Sequence, residues 1–216
     1  MTINLVKYQK ILAKIVANNK KNTELLVVSK NKPLEDLIPL IKDHKHQLFG
    51  ENRVQEAKSK FPFDLIQRFD LKIHLIGPLQ TNKVDVALNF FHTIQSIDRL
   101  KLVNEIHKSI SKNNFPTTTK DYFLQVNIGE EPQKSGVEIH NLPDLYERCL
   151  KLNLNIVGLM CIPPINDNPV IYFEKMVMLR DNLNPLLNLS MGMSGDYEEA
   201  IKFKSNMVRI GSLLFS

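Results

Sequence analysis

The chain of 216 residues is predicted to fold as one (β/α)8 barrel that fills a single domain, 1–216, with an extra helix at its N-terminus. Eight short apolar runs alternate with helical segments, which implies a parallel sheet, and eight strands are the number that closes a barrel. The length fits one such barrel and leaves little room for a second domain. The runner-up is an open doubly wound sheet, which is weakened because no GxGxxG motif follows the first apolar run.

The elements follow from their patterns. Leu5, Tyr8, Leu12 and Ile15 recur at helical spacing and predict a first helix that packs on the body of the protein. Short runs rich in branched aliphatic residues predict eight buried strands. The predicted strands are Leu25–Ser29, Gln47–Gly50, Lys72–Ile76, Thr93–Ile97, Tyr122–Asn127, Ile156–Met160, Leu187–Met191 and Val208–Gly211. The predicted helices are Leu34–His44, Val54–Lys60, Lys83–Leu88, Arg99–Ser111, Leu142–Leu152, Val170–Asn182 and Tyr197–Lys204.

Composition narrows the class of function. The 28 Lys and Arg against 23 Asp and Glu give a net charge of +5, and these charges are scattered, so nucleic-acid binding is not expected. Cys149 and Cys161 form no metal or redox motif, which suits a reducing cytoplasm. No apolar stretch reaches the length of a membrane span, and no signal-peptide core begins the chain. We therefore expect a cytoplasmic protein without a membrane partner.

Lys30 is the first candidate for chemistry. It ends the apolar run that starts at Leu25, and Pro33 shortly after it suits the first turn of a helix. In a barrel of parallel strands that position is the catalytic face. A lysine at the edge of an apolar interior is expected to lose hydration, which favours a neutral amine able to attack a carbonyl. The alternative is a solvated surface lysine.

Two loops near the C-terminus resemble a phosphate cradle. They are Ser190–Asp196 and Arg209–Ser212. Each contains glycine, which lets backbone N–H groups approach a ligand closely, next to a serine hydroxyl. The loops after strands 7 and 8 often bind phosphate in such barrels. Ser194 is a candidate anion donor, although it could serve only as a helix cap.

Arg209 and His74 interrupt otherwise apolar strands. A guanidinium inside a barrel needs a partner, so either a carboxylate or a ligand should meet Arg209. An amine at a strand end, a phosphate cradle and an inward arginine together suit pyridoxal 5′-phosphate. His74 would be placed to touch its ring, or it could be an ordinary core histidine.

At these residues the sequence resembles the pyridoxal-phosphate homeostasis proteins (YggS/PROSC-type). The resemblance runs in family order over most of the chain. The matching segments are Val27–Pro33, Phe49–Glu56, His74–Lys83, Ser96–Arg99, Leu124–Asn127, Lys134–Gly136, Gly158–Met160, Leu189–Ser194 and Met207–Gly211.

The resemblance implies an alanine-racemase-type barrel with the cofactor held as a Schiff base on Lys30. It also implies that Arg209 faces the pyridine nitrogen, that Ser194, Gly211 and Ser212 hold the phosphate, and that Asn52 lies near the ring. The complete predicted cofactor-binding set is Lys30, Asn52, His74, Met160, Ser194, Arg209, Gly211 and Ser212. No catalytic residue and no metal ligand is predicted.

The residues favour a carrier over an enzyme. Racemisation needs acid–base groups on both faces of the substrate. The chain ends soon after its eighth strand, so the added domain that supplies a tyrosine in alanine racemases is expected to be absent, and with it the racemase dimer. The resemblance implies a protein that buffers pyridoxal phosphate within vitamin B6 homeostasis and passes it to apo-enzymes that depend on it, and we expect a monomer. The alternatives are a small racemase or lyase using the same cofactor, and a barrel enzyme acting on another phosphate ligand.

Overall fold

A computed structural model describes residues 2–18, 23–112 and 117–215. Eight parallel strands form a closed barrel in chain order, and the first strand pairs with the eighth to complete it. The strands are β1 Glu24–Val28, β2 Leu48–Glu51, β3 Lys72–Leu75, β4 Thr93–Ile97, β5 Asp121–Val126, β6 Ile156–Cys161, β7 Asn188–Ser190 and β8 Met207–Ile210. The predicted barrel is confirmed, and the open doubly wound sheet is wrong.

Helices follow the strands on the outside of the barrel. They are α1 Leu5–Asn18, α2 Ile38–Lys42, α3 Val54–Lys60, α4 Phe63–Phe69, α5 Val84–Leu88, α6 Leu100–Lys112, α7 Leu142–Lys151, α8 Pro169–Leu183 and α9 Tyr197–Lys202. The extra N-terminal helix α1 buries Tyr8, Ile11 and Ile15. Those residues lie three or four positions apart, so they form one stripe against the body of the protein. None of the helices in the described ranges is long and apolar enough to cross a membrane.

Two helical predictions need correction. The helix predicted over Leu34–His44 is broken into a short 3-10 helix, Leu34–Asp36, and α2. Pro39 lies in the first turn of α2, where its missing N–H costs nothing, and this permits a new helix to start there. Helix α4 was not predicted, because seven residues after Pro62 show only two turns of periodicity.

The main hydrophobic core lies between the barrel and its helices, and includes side chains such as Phe49, Leu75 and Ile97. The barrel interior holds a second set of buried apolar residues, Leu26, Phe123, Met160 and Met207. Space for one of them comes from a glycine. A Cβ on Gly158 would lie 2.4 Å from Cε1 of Phe123, so only glycine admits this ring between neighbouring strands.

The register places three polar residues in that interior. Arg209 on β8 pairs with Leu26 on β1, and Ser190 on β7 pairs with Met160 on β6. His74 on β3 pairs with Gly50 on β2. Because paired positions of parallel strands point to the same face, these side chains lie together inside the barrel.

Candidate functional site

Lys30 lies two residues beyond the end of β1, at the carboxyl end of the barrel, as the sequence predicted. The expected loss of hydration is wrong for this structure, because Lys30 is exposed to solvent. Its side chain is therefore open to solvent at this end of the barrel rather than buried in the apolar interior. An exposed lysine at this position does not incur the cost of burying a charge.

The two C-terminal loops lie against each other, as their positions after β7 and β8 predicted. The Leu213 N–H donates to Ser194 Oγ at 3.4 Å, and the Arg209 N–H donates to the Gly192 carbonyl at 2.9 Å. Gly192 has a φ of +95°, a conformation that side chains disfavour. The two loops thus form one joined rim beside β8, with the Ser194 hydroxyl at their junction.

Gly211 and Ser212 begin the last turn of this rim. A Cβ on Gly211 would lie 3.1 Å from the carbonyl oxygen of Val28, so the backbone after β8 runs against the end of β1. Ser212 is exposed and opens a short 3-10 helix, Ser212–Leu214. Since Val28 precedes Lys30 by two residues, the loop after β8 and the Lys30 loop are neighbours.

Asn52 lies on another side of the mouth, after β2. Its backbone approaches Gly77 so closely that a Cβ there would lie 2.3 Å from the Asn52 carbonyl oxygen. A cleft of about 880 Å³ opens beside it between the loops that follow β2, β3 and β4. Of the predicted cofactor-binding residues, only Asn52 lines this cleft, so the cleft is not the predicted cofactor site. The positions of Lys30 and Arg209 indicate that site instead.

Arg209 is buried inside the barrel, with 3% of its surface exposed. Its Nη1 donates to Ser190 Oγ at 2.9 Å, and its Nη2 donates to the Cys161 carbonyl at 2.7 Å. Within the described residues no carboxylate lies at ion-pair distance from the guanidinium, and Asp196 acts on it only as a more distant charge. The alternative of an internal salt bridge is therefore not supported there. Burial lowers the pKa of the guanidinium from its ordinary value, although an arginine keeps its charge. A buried cation held by neutral groups is well suited to a polar ligand.

A directed chain of hydrogen bonds joins Arg209 to His74. The Ser190 hydroxyl accepts from Arg209 and donates to Gln95 Oε1 at 2.7 Å, and Gln95 Nε2 lies 2.9 Å from His74 Nδ1. Because an amide nitrogen can only donate, His74 Nδ1 accepts and its ring proton resides on Nε2. Burial, with a smaller effect of His92, lowers the pKa of His74 to about 3. His74 is therefore a neutral histidine with one nitrogen engaged.

Met160 is fully buried in the interior and precedes Cys161, whose carbonyl binds Arg209. Burial raises the pKa of the Cys161 thiol to about 12, so it is not a nucleophile. Met160 thus contributes an apolar wall next to the residues that fix the guanidinium.

Sequence reasoning missed two groups of residues. Gln95 was not singled out, and Ser190 was placed in the phosphate loop, whereas both lie in buried strands and link the interior chain. Their polarity within buried strands is the signal that points to them. The second group consists of Ser29, Glu51, Glu56 and Lys60, which meet beside Lys30. The i,i+4 spacing of Glu56 and Lys60 is the signal available for a helical ion pair, but nothing in the sequence links that pair to the first strand.

Comparison with known proteins identifies the family and the fold of the chain. Residues 3–216 match the family model of the alanine racemase N-terminal domain. The chain is 44% identical over 178 residues to the pyridoxal phosphate homeostasis protein of Aquifex aeolicus, covering 78% of this chain and 76% of that protein. It is 35% identical over 200 residues to the protein of the same name from Escherichia coli K12, covering 88% and 84%.

Solved structures show the same fold. PipY of Synechococcus elongatus, solved with PLP bound, has a TM-score of 0.80 and 29% identity and covers 96% of this chain and 99% of that one. Alanine racemase of Clostridium difficile has a TM-score of 0.70 and 15% identity, and the match spans 57% of the racemase chain. The racemase likeness concerns the fold alone. The chain belongs to the pyridoxal phosphate homeostasis protein family and has the barrel of the alanine racemase N-terminal domain.

Proposed function

We propose that this protein binds pyridoxal 5′-phosphate as a Schiff base on Lys30 and carries or buffers it, without substantial catalysis of its own. The observation that carries the proposal is the buried Arg209 guanidinium, in a barrel whose mouth bears Lys30. Among the described residues its hydrogen bonds go to a neutral hydroxyl and a neutral carbonyl. This arrangement fits a ligand with an aldehyde and a ring nitrogen. The relatives' names and the PLP-bound PipY structure support the same cofactor.

Lys30 supplies the covalent anchor in this proposal. Its Nζ would hold the cofactor through a C=N bond to the aldehyde carbon, and the aldehyde oxygen and the two amine protons would leave together as water. The exposed position of Lys30 suits a carrier, because reversible hydrolysis of that bond requires access of water.

The joined rim would hold the phosphate at the other end. Ser194, Gly211 and Ser212 offer two hydroxyls and glycine-flanked backbone, and the loop after β8 lies beside the end of β1. Arg209 would face the ring nitrogen, and Asn52, His74 and Met160 would border the ring from other strands. With its pKa near 3, His74 would act there only by hydrogen bonding.

The positions of the tyrosines support a carrier over a racemase. All five are described, and they lie in α1, at the start of β5, or in α7, α8 and α9. Tyr197, the nearest to the rim in sequence, interacts with Lys14 of α1. No described tyrosine therefore offers an acid–base group opposite Lys30, and an arginine at the ring nitrogen would disfavour the protonated ring that stabilises a carbanion.

The remaining parts of the proposal concern cellular context. The domain would act as a monomer in the cytoplasm, in line with two free buried cysteines, and apo-enzymes that use the cofactor would be its recipients.

Solvent deuterium exchange tests the carrier role. Cofactor-loaded protein should leave the α-protons of free amino acids unexchanged in D2O, as followed by proton NMR. Exchange at about 1 to 1000 per second, the usual range of enzymes, would instead establish a racemase or lyase. A colourless protein that forms no adduct when given the cofactor would point to another phosphate ligand.

A further inference from the structure

Lys30 lies in a tight turn between β1 and the short 3-10 helix. The Lys32 N–H donates to the Ser29 carbonyl at 3.1 Å, so Lys30 and Asn31 are the two central residues of a four-residue turn. Asn31 has a φ of +59°, in the left-handed region. Asparagine tolerates that region better than most residues, but the conformation still needs support from its surroundings.

A buried charged cluster lies directly behind this turn. Lys60 Nζ on α3 lies 2.7 Å from Glu51 Oε1 on β2 and 3.0 Å from Glu56 Oε1 on α3. The side chains of Lys60 and Glu51 are 6% and 0% exposed. A lysine and a glutamate are seldom buried in this way unless each is paired.

The cluster holds the turn on both sides of Lys30. Before Lys30, the Ser29 hydroxyl donates to Glu51 Oε1 at 2.6 Å, and Lys60 Nζ donates to the Ser29 carbonyl at 2.6 Å. After Lys30, the Asn31 N–H donates to Glu56 Oε1 at 2.5 Å. Each of these bonds has a charged partner, and such bonds are stronger than neutral ones.

One carboxylate oxygen of this cluster lacks a hydrogen-bond partner among the described residues, which an arrangement selected only for stability would avoid. Glu51 Oε2 is buried and has no hydrogen-bond partner among the described residues. A buried carboxylate with one unsatisfied oxygen lowers the free energy of unfolding, and a well-packed pair of apolar side chains in place of Lys60 and Glu51 would lower it less. The arrangement therefore favours a role in fixing geometry.

We propose that Lys60, Glu51 and Glu56 are positioning residues that fix the Lys30 turn so that the amine points at the mouth of the barrel. The inference rests on the proposed function, since it assigns to Lys30 the covalent bond to the cofactor. A fixed turn raises the effective concentration of the amine at the aldehyde. Releasing the turn should weaken the covalent bond and leave the non-covalent contacts of the cofactor intact.

Glu56 offers the sharpest test, because its side chain is partly exposed and its replacement leaves the buried Lys60–Glu51 pair in place. Glu56→Ala removes the acceptor of the Asn31 N–H, whereas Glu56→Gln keeps an oxygen for it. Lys58→Ala is the control, since Lys58 is an exposed lysine of the same helix. Each protein is titrated with pyridoxal 5′-phosphate and with pyridoxine 5′-phosphate, which has no aldehyde and cannot bind covalently.

We expect Glu56→Ala to weaken pyridoxal 5′-phosphate binding about tenfold, the equivalent of one charge-assisted hydrogen bond. Pyridoxine 5′-phosphate affinity should stay within about twofold, which a partly unfolded site would not allow. Glu56→Gln should restore most of the loss, and Lys58→Ala should match the unaltered protein.

Equal affinity of Glu56→Ala and the unaltered protein for pyridoxal 5′-phosphate would overturn the positioning role. A parallel loss of both ligands would also overturn it, because the residue would then support the whole site. Failure of the proposed function looks different, since the unaltered protein would then bind both ligands alike and carry no adduct on Lys30.

Discussion

Arg209 and His74 stand at the two ends of one hydrogen-bond chain inside the barrel. Arg209 donates to Ser190, Ser190 donates to Gln95, and Gln95 donates to Nδ1 of His74. A guanidinium can only donate, so it sets the direction of every bond in the chain. The charge at one end thus fixes the tautomer at the other.

Replacing Arg209 should separate ligand binding from stability. Arg209→Met removes a buried cation that has no ion-pair partner among the described residues, so we expect the free energy of unfolding without cofactor to fall by no more than about 1 kcal/mol. Cofactor affinity should drop at least tenfold, measured by fluorescence titration.

Arg209→Glu should shift the absorption of bound cofactor, because a carboxylate favours a protonated ring nitrogen. Unchanged affinity and an unchanged spectrum would place Arg209 outside the site.

His74 should stay neutral with its proton on Nε2 from pH 5 to 8, as read from nitrogen-15 chemical shifts. Its pKa is about 3 in the folded protein and 6.5 in the unfolded chain, so below pH 6.5 the unfolded chain binds the extra proton. Stability should therefore be lost as the pH falls from 6.5 towards 3, and His74→Gln should flatten that slope. His140→Gln is the control, since His140 is 75% exposed. Titration of His74 near pH 6.5 would contradict the buried chain.

Lys60→Met should expose the cost of leaving Glu51 unpaired. We expect a loss of about 3–5 kcal/mol in the free energy of unfolding at neutral pH, measured with urea. Burial already raises the pKa of the Glu51 carboxyl, against the hydrogen bonds from Lys60 and Ser29. Because the pKa is raised in the folded state, Glu51 takes up a proton at a higher pH there than in the unfolded chain. The loss of unfolding free energy in Lys60→Met should therefore shrink as the pH falls towards 5. A deficit that stays constant with pH would show that Glu51 is not the group responsible.

Two nearby glycines offer a matched pair for the phosphate rim. A Cβ on Gly192 would lie 2.5 Å from the Cβ of Ala200, and its φ is positive, so Gly192→Ala should cost about 1–3 kcal/mol and weaken phosphate-ester binding. A Cβ on Gly195 would meet nothing within 4 Å, so Gly195→Ala should change stability by less than about 0.5 kcal/mol. Equal effects of the two substitutions, in denaturation and in binding, would contradict the described rim.

The sequence was enough to predict the barrel because each strand is short, apolar and followed by a helix. It also placed Lys30 and the two C-terminal loops at one end, since all parallel strands end at the same face. Helix α4 escaped prediction because seven residues carry too little periodicity. The cluster around Lys60 was not predicted because it joins residues of β2 and α3 with the end of β1, and no local sequence pattern indicates contacts between separate elements. The exposure of Lys30 could not be predicted either, since it depends on how far the strand extends beyond the rim.

Borohydride reduction of the cofactor-loaded protein, followed by peptide mass mapping, tests the central claim most directly. The account predicts one phosphopyridoxyl group, carried by the peptide that contains Lys30, and none at that position in Lys30→Ala. That variant should retain some cofactor through the phosphate rim alone. An adduct on another lysine, or a single-site adduct that persists in Lys30→Ala, would contradict the assignment of the anchor.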